Sequence, residues 1–398
     1  MEHGHVPKRM CLPVAGAKSV ENPEYALLTE IFEKIILDDT RRQGIISDDL
    51  MRSTAAEWRE LQRMYVNVKF KGIQGESIKK TKARLKMLIK GRFKVTAVDL
   101  NYCHIGPEGM LKLTKTLARC SHLQELNMAC NALELKGLST LSSVLCWCST
   151  ITSLDLKFNN IQPHTASILG SALQHCQGLT NLDLSGNSIE SEGFLKVVDG
   201  LTTSLKKLNV EANNINDERD EDKYEVATIS LFRYCTNLEY LNLGQNLIQN
   251  VHPFSEIKHA KSLTCLVAMK NEMNFNLNTN NTKEFVRGVS KCSKLASLDL
   301  SNNFMGPALQ EFAEELLLCT NLTSLNLGET EVEDAESEYL ANVFPHLPHL
   351  KFLSLENNLL SPAAVQKLKE KWAHADDDLK IDDQHDIYSE YGSEYESD

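Results

Sequence analysis

From Val95 to Leu360 the apolar residues fall in one recurring phase, clearest in LTNLDLSGNSI (179–189), LEYLNLGQNLI (238–248) and LASLDLSNNFM (295–305). Counted from the first strand residue, ten units begin at Val95, Leu123, Ile151, Leu179, Leu205, Leu238, Leu263, Leu295, Leu322 and Leu350. Their spacings are 28, 28, 28, 26, 33, 25, 32, 27 and 28 residues. A period near 28 leaves room for a short strand and a full helix in each unit. Positions 1, 4 and 6 are apolar and point into a core, whereas position 5 points the other way, as side chains alternate along a strand. The stretches after each turn, such as EGFLKVVDGL and ALQEFAEELLL, carry apolar residues at helical spacing. The expected fold is an α/β solenoid: a horseshoe with a parallel concave sheet inside and helices outside.

Position 9 is Asn131, Asn159, Asn187, Asn213, Asn246, Asn271, Asn303 and Asn358, and an amide there can bond backbone groups where the chain leaves the strand. Cys103 and Thr330 replace it in the first and ninth units, which predicts less firmly held turns. Six of the eleven cysteines, Cys120, Cys148, Cys176, Cys235, Cys292 and Cys319, stand three residues before a strand. A small buried side chain explains that phase without chemistry, so reduced thiols in a cytoplasmic setting are expected.

The ends of an array need caps. Helical patterns at 24–37, 48–65 and 76–90 predict an α-helical cap over 22–94, after a flexible N-terminus at 1–21. The array then spans 95–375, closed by SPAAVQKLKEKW (361–372) with Trp372 as a lid. Residues 376–398 are too acidic and too poor in aliphatic residues to fold, which predicts a disordered tail.

With its LxxLxLxxNxL units, the chain from Val95 to Leu360 resembles the ribonuclease-inhibitor-like class of leucine-rich repeats. That resemblance implies an intracellular horseshoe used for protein binding. The class includes Ran GTPase-activating proteins, whose resemblance implies a GTPase regulator with an arginine on an early strand; here position 5 of the first three strands holds Asp99, Asn127 and Asp155. The segment Pro23 to Phe32, with AAEWREL (55–61), resembles an F-box, which implies a substrate receptor of a ubiquitin ligase that docks Skp1. A plain cap is the other reading of that segment. The Glu-rich C-terminus resembles translocation signals of bacterial type IV effectors, which implies work in a host cytosol.

Charge separates the two ends. Residues 69–94 carry ten Lys/Arg and one Glu, whereas 376–398 carry ten Asp/Glu and one Lys. The array itself has 22 basic and 32 acidic residues, which disfavours nucleic acid as a partner. No apolar run reaches the length of a membrane helix, so no integral membrane segment is expected. Phosphate-loop, dinucleotide, HExxH and CxxC patterns do not occur, so neither catalysis, cofactor nor metal is predicted.

Binding candidates come from the open strand face and its rim. Asp155, Asp183 and Asp299 form part of a carboxylate and amide stripe suited to a basic or hydrogen-bonding partner. Tyr102, Lys157, Phe158, Lys207, Tyr240, Met269 and Phe352 are the large side chains able to anchor an interface. Two over-long units, with NDERDEDKYE (216–225) and NEMNFNLNTNNT (271–282), are expected to project loops from one edge.

Overall fold

The computed structural model describes residues 67–90, 94–216, 221–275, 279–372 and 378–381. Their strands are β1 (Asn67–Lys71), β2 (Lys94–Asp99), β3 (Glu125–Asn127), β4 (Ser153–Asp155), β5 (Asn181–Asp183), β6 (Lys207–Asn209), β7 (Tyr240–Asn242), β8 (Cys265–Val267), β9 (Ser297–Asp299), β10 (Ser324–Asn326), β11 (Phe352–Ser354) and β12 (Asp378–Lys380). They form one parallel sheet in strict chain order. Like positions pair with like: Leu126, Leu154, Leu182, Leu208, Leu241 and Leu266 stand in successive register. Each of these leucines is buried, so one row of position-4 side chains forms the floor of the core.

Helices α1 (Ile78–Lys90), α2 (Gly106–Leu117), α3 (Glu134–Leu145), α4 (Pro163–Leu173), α5 (Glu190–Gly200), α6 (Glu221–Tyr234), α7 (Thr279–Ser290), α8 (Leu309–Leu316), α9 (Asp334–Val343) and α10 (Pro362–Lys371) cover the other side. Where α4 meets α5, a Cβ added at Gly170 would collide with the Lys196 carbonyl, and one at Gly200 with the Gly170 carbonyl. Only glycine permits so close a backbone approach. The sixth unit, 25 residues long, has a 3-10 segment at His252–His259 in place of an α-helix. Phe254 from that segment meets Phe232 of α6 at 5.8 Å and Phe285 of α7 at 5.7 Å, and Phe285 meets Phe275 at 5.5 Å. These four buried rings fill the space behind the thinned unit.

Asparagine at position 9 ties the units together. Asn159 Nδ2 donates to the carbonyls of Met128, Leu156 and Lys157 at 2.9, 3.0 and 3.2 Å, while its Oδ1 accepts from the N–H groups of Asn131 and Leu133. One amide thereby satisfies buried backbone groups in two units at once. Thr330 keeps only part of this, donating to Leu327 O at 2.7 Å and to Asn358 Oδ1 at 3.3 Å. Cys103 Sγ reaches only Asn101 O, at 3.5 Å. Between the fourth and fifth units only the donating half remains: Asn213 Nδ2 donates to Leu184 O at 3.0 Å, while Asn213 Oδ1 is buried without a partner.

The sheet extends beyond the ten units at both ends. Strand β1 lies within the stretch whose pattern predicted a helical cap, and β12 lies within the stretch whose composition predicted a disordered tail. In β1 only one short alternation marks the strand, and its pairing with β2 slips between Val68 and Lys69. A buried ion pair fixes this end: Arg84, fully buried, bonds Glu76 Oε2 at 2.9 Å and Lys71 O at 3.2 Å and stacks over the Phe70 ring at 5.2 Å. At the other end Leu355 N donates to Lys380 O at 2.8 Å, Ile381 is buried and Leu379 packs against the core, so two aliphatic residues and backbone pairing seat the strand. Trp372 closes the last layer, edge-on to Phe344 with centroids 5.4 Å apart.

The helical patterns at 24–37 and 48–65, the F-box-like segment and most of the acidic tail lie outside the described residues. So do 217–220 and 276–278 of the two insertions; in their described parts Asn216, Tyr224, Met273 and Phe275 are buried, whereas Asp222 and Glu272 are exposed.

Candidate interaction surface

The open face is built from positions 3 and 5 of the strands, position 7 just after them, and position 8 at the rim. At position 5 the side-chain oxygen turns back on its own chain. Asp99, Asn127, Asp155, Asp183, Asn209, Asn242, Asp299 and Asn326 each accept a hydrogen bond from the backbone N–H two residues on, at 2.9 to 3.1 Å. These turns explain why Asp and Asn recur there. Serine at position 7 adds a second bond, Ser185 Oγ to Asp183 and Ser301 Oγ to Asp299, both at 2.7 Å.

The second oxygens run sideways. Asp183 Oδ2 accepts from Asn209 Nδ2 at 3.3 Å, and Asp299 Oδ2 from Asn326 Nδ2 at 3.2 Å. Asp155 Oδ2 lies 3.7 Å from Lys157 Nζ. Burial raises the Asp155 pKa, and the neighbouring Asp183 charge adds to the rise. Glu211 extends the polar row by accepting from Asn242 Nδ2 at 3.0 Å and Gln245 Nε2 at 2.7 Å.

Position 8 has a left-handed backbone in every unit, with φ between 50° and 64°, from Tyr102 and Cys130 through Phe158 and Gly186 to Asn357. That turn aims the N–H sideways: Tyr102 N reaches Ala129 O at 3.1 Å, Cys130 N reaches Lys157 O at 2.9 Å and Phe158 N reaches Ser185 O at 2.9 Å. The side chains are thereby thrown out along the rim. Tyr102 is 50% exposed and Phe158 57% exposed. Hydrogen bonding to Cys130 raises the Tyr102 pKa.

Of the candidates read from sequence, Asp155, Lys157, Phe158 and Asp183 come together on β4, β5 and the turns after them, with Lys207 beside them on β6. Tyr240 follows on β7, half-buried, and desolvation raises its pKa. Met269 lies against Gly244 of the previous unit. Asp299 and Phe352 belong to the other half of the array, where Lys380 Nζ stands 5.6 Å above the Phe352 ring. Sequence reasoning passed over Cys130, Gly186 and Glu211. Reading position 8 down the repeats, as position 5 was read, finds the first two.

The cysteines before the strands are buried and unpaired. Desolvation pushes Cys120, Cys235, Cys292 and Cys319 up to about 12. Cys292 Sγ donates to Ile257 O at 3.1 Å, so the thiol serves as a small buried donor between units. Among the described residues no group of three or more His, Cys, Asp or Glu is arranged to hold a metal, and no helix is long and apolar enough to cross a membrane.

The family described as Leucine Rich repeat matches residues 93–113, 119–142, 148–163 and 175–197. The fold is a leucine-rich-repeat solenoid. An internalin (inlF) from Listeria monocytogenes has a similar structure, with 16% sequence identity, a TM-score of 0.51, and coverage of 89% of this chain and 94% of that one. Internalin C2 (inlC2) from the same organism aligns at 21% identity and a TM-score of 0.39, over 61% of this chain and 83% of that one. At 16% identity the likeness to the inlF structure speaks for the leucine-rich-repeat fold alone. No curated protein matches the chain in sequence.

Proposed function

We propose that the protein is a non-catalytic interaction scaffold that binds a protein partner through the concave face and the strand-to-helix edge of its repeat array. One observation carries this reading. All-parallel sheets are ordinarily covered on both faces, yet here helices cover one face and the described residues place no element over the other. That face is polar enough to stay hydrated, through its aspartate and asparagine row, and carries large anchors at Tyr102, Phe158 and Tyr240. Such a surface suits a protein better than a small molecule, which needs a closed pocket. The twelve strands carry no arginine, so a GTPase-regulator reading has no residue to rest on. The unpaired thiols before the strands support a reducing compartment.

The test is affinity purification of the full chain, with partners identified by mass spectrometry and compared between a concave variant (Phe158→Ala, Lys207→Glu, Tyr240→Ala) and a convex one (Lys112→Glu, Lys115→Glu). Partners lost from the concave variant alone support the scaffold. Partners lost only from the convex variant, or held equally by both, refute it.

A further inference from the structure

The scaffold reading leaves open which part of the face binds and what chemistry it selects. Position 8 answers both. A left-handed backbone is costly for an ordinary L-residue and suits glycine or asparagine. In the later units the position holds polar side chains that solvent can take up, Gln245, Lys270, Asn302, Glu329 and Asn357. In the first five units the same position holds Tyr102, Cys130, Phe158, Gly186 and Ala212. Two of these are large, apolar and half exposed, so burial within the chain does not compensate their conformational cost.

The five positions form one continuous stripe. Tyr102 N donates to Ala129 O at 3.1 Å and Cys130 N to Lys157 O at 2.9 Å across successive unit boundaries, and the Phe158 ring extends over Gly186. With neighbouring strands about 4.8 Å apart, the stripe is roughly 20 Å long, the span of about six extended residues. Beside it runs an acidic row, Asp99, Asp155 and Asp183 at position 5 and Glu211 at position 7. The lysines of this region are largely engaged: Lys157 lies against Asp155, Lys69 against Glu125 and Lys206 against Glu239. Lys207 on β6 and Lys94 on β2 are the further lysines of these strands, fewer than the carboxylates of Asp99, Asp183 and Glu211.

Resting on the scaffold reading, the geometry points to units one to five as a docking surface for an extended partner segment with apolar side chains along one edge and lysine or arginine along the other. The apolar edge packs on Tyr102, Cys130 and Phe158. The cationic edge faces the carboxylate row, and a guanidinium or ammonium placed between them also meets an aromatic face. An acidic segment is repelled.

The experiment selects a random displayed peptide library against the full chain and measures the enriched peptides by fluorescence anisotropy. Tyr102→Asn with Phe158→Asn is the decisive variant, because asparagine tolerates the left-handed backbone, so the fold is kept while the apolar surface is removed. Lys270→Asn with Glu329→Asn is the control, at the same left-handed position in later units. The expected result is a consensus alternating apolar and basic residues, with binding at least tenfold weaker in the asparagine variant, weakened by salt and unchanged in the control. An acidic or uncharged consensus, no enrichment, or binding insensitive to the asparagine variant overturns the inference. Peptides lost only in the control place the site in later units, which overturns this assignment and leaves the scaffold reading standing. The scaffold reading itself falls with the partner-retention experiment, which does not depend on these peptides.

Discussion

The Phe158 ring occupies the space that a side chain at residue 186 would fill: a Cβ built on Gly186 collides with Cε1 and Cδ1 of that ring. Two successive units thus share one rim position, and Gly186, with φ of 64°, provides both the backbone conformation and the room. Gly186→Ala is expected to destabilise the protein by about 1–2 kcal/mol from the backbone alone, with a further loss from displacing the ring. Urea unfolding in the wild-type and Phe158→Ala backgrounds separates the two. The cost should be smaller where the ring is absent, and an equal cost in both would show that ring and glycine are not coupled.

The amide ladder predicts two changes of opposite sign. Asn159→Ala removes three donated and two accepted bonds in the buried turn, and should cost at least about 3 kcal/mol, since stranded buried groups cost more than the bonds are worth. Thr330→Asn restores the missing amide and should stabilise by about 0.5–1.5 kcal/mol. Denaturant midpoints check both, and a destabilised Thr330→Asn would mean that the ninth turn has closed around threonine.

Among the described residues Glu76 is the one carboxylate paired with buried Arg84. Glu76→Ala leaves that guanidinium buried and unpaired, at a cost of about 3–5 kcal/mol by the usual penalty for breaking such a pair. Hydrogen exchange should rise first in β1 and α1, whereas β4 and β5 keep their protection. Uniform protection throughout would count against an anchoring role.

On the convex side Glu256 accepts from Arg233 at 2.7 Å and Lys258 at 3.0 Å, with His259 Nε2 at 3.3 Å. Arg233 is the largest cause that holds its pKa down, from 4.5 to about 2. A depressed folded-state pKa gives stability that is complete above the unfolded value and lost as pH falls through the folded one. Thermal unfolding should therefore lose this contribution between about pH 4.5 and pH 2, and Glu256→Gln should flatten that part of the profile. An unchanged acid limb in the glutamine variant would assign the loss to other carboxylates.

Much of the fold was legible because the repeat imposes one pattern many times. Each strand must bury positions 1, 4 and 6, and the position-9 amide must satisfy the same turn, so phase alone located β2 to β11 and the helices behind them. The ends were less legible because they lack that redundancy. Phe70 in β1 and Leu379 and Ile381 in and after β12 are isolated apolar residues in charged surroundings, and only pairing to a finished neighbour strand makes them core. Composition also hid part of the core: Met273 and Phe275 lie in an asparagine-rich stretch, yet the thinned sixth unit leaves a gap that Phe275 helps to fill.

By itself the sequence determined the solenoid, its period, the inward leucines, the asparagine ladder and the buried phase of the cysteines, since these are local consequences of side-chain alternation and repetition. Tertiary structure alone decided what the open face offers. Stacking of the units put Tyr102, Cys130, Phe158 and Gly186 on one rim although 84 residues of chain separate the first from the last, and turned the position-5 aspartates back on the backbone. Lateral contact between units depends on register and on backbone dihedrals, and a residue's type does not carry either until its neighbour is in place.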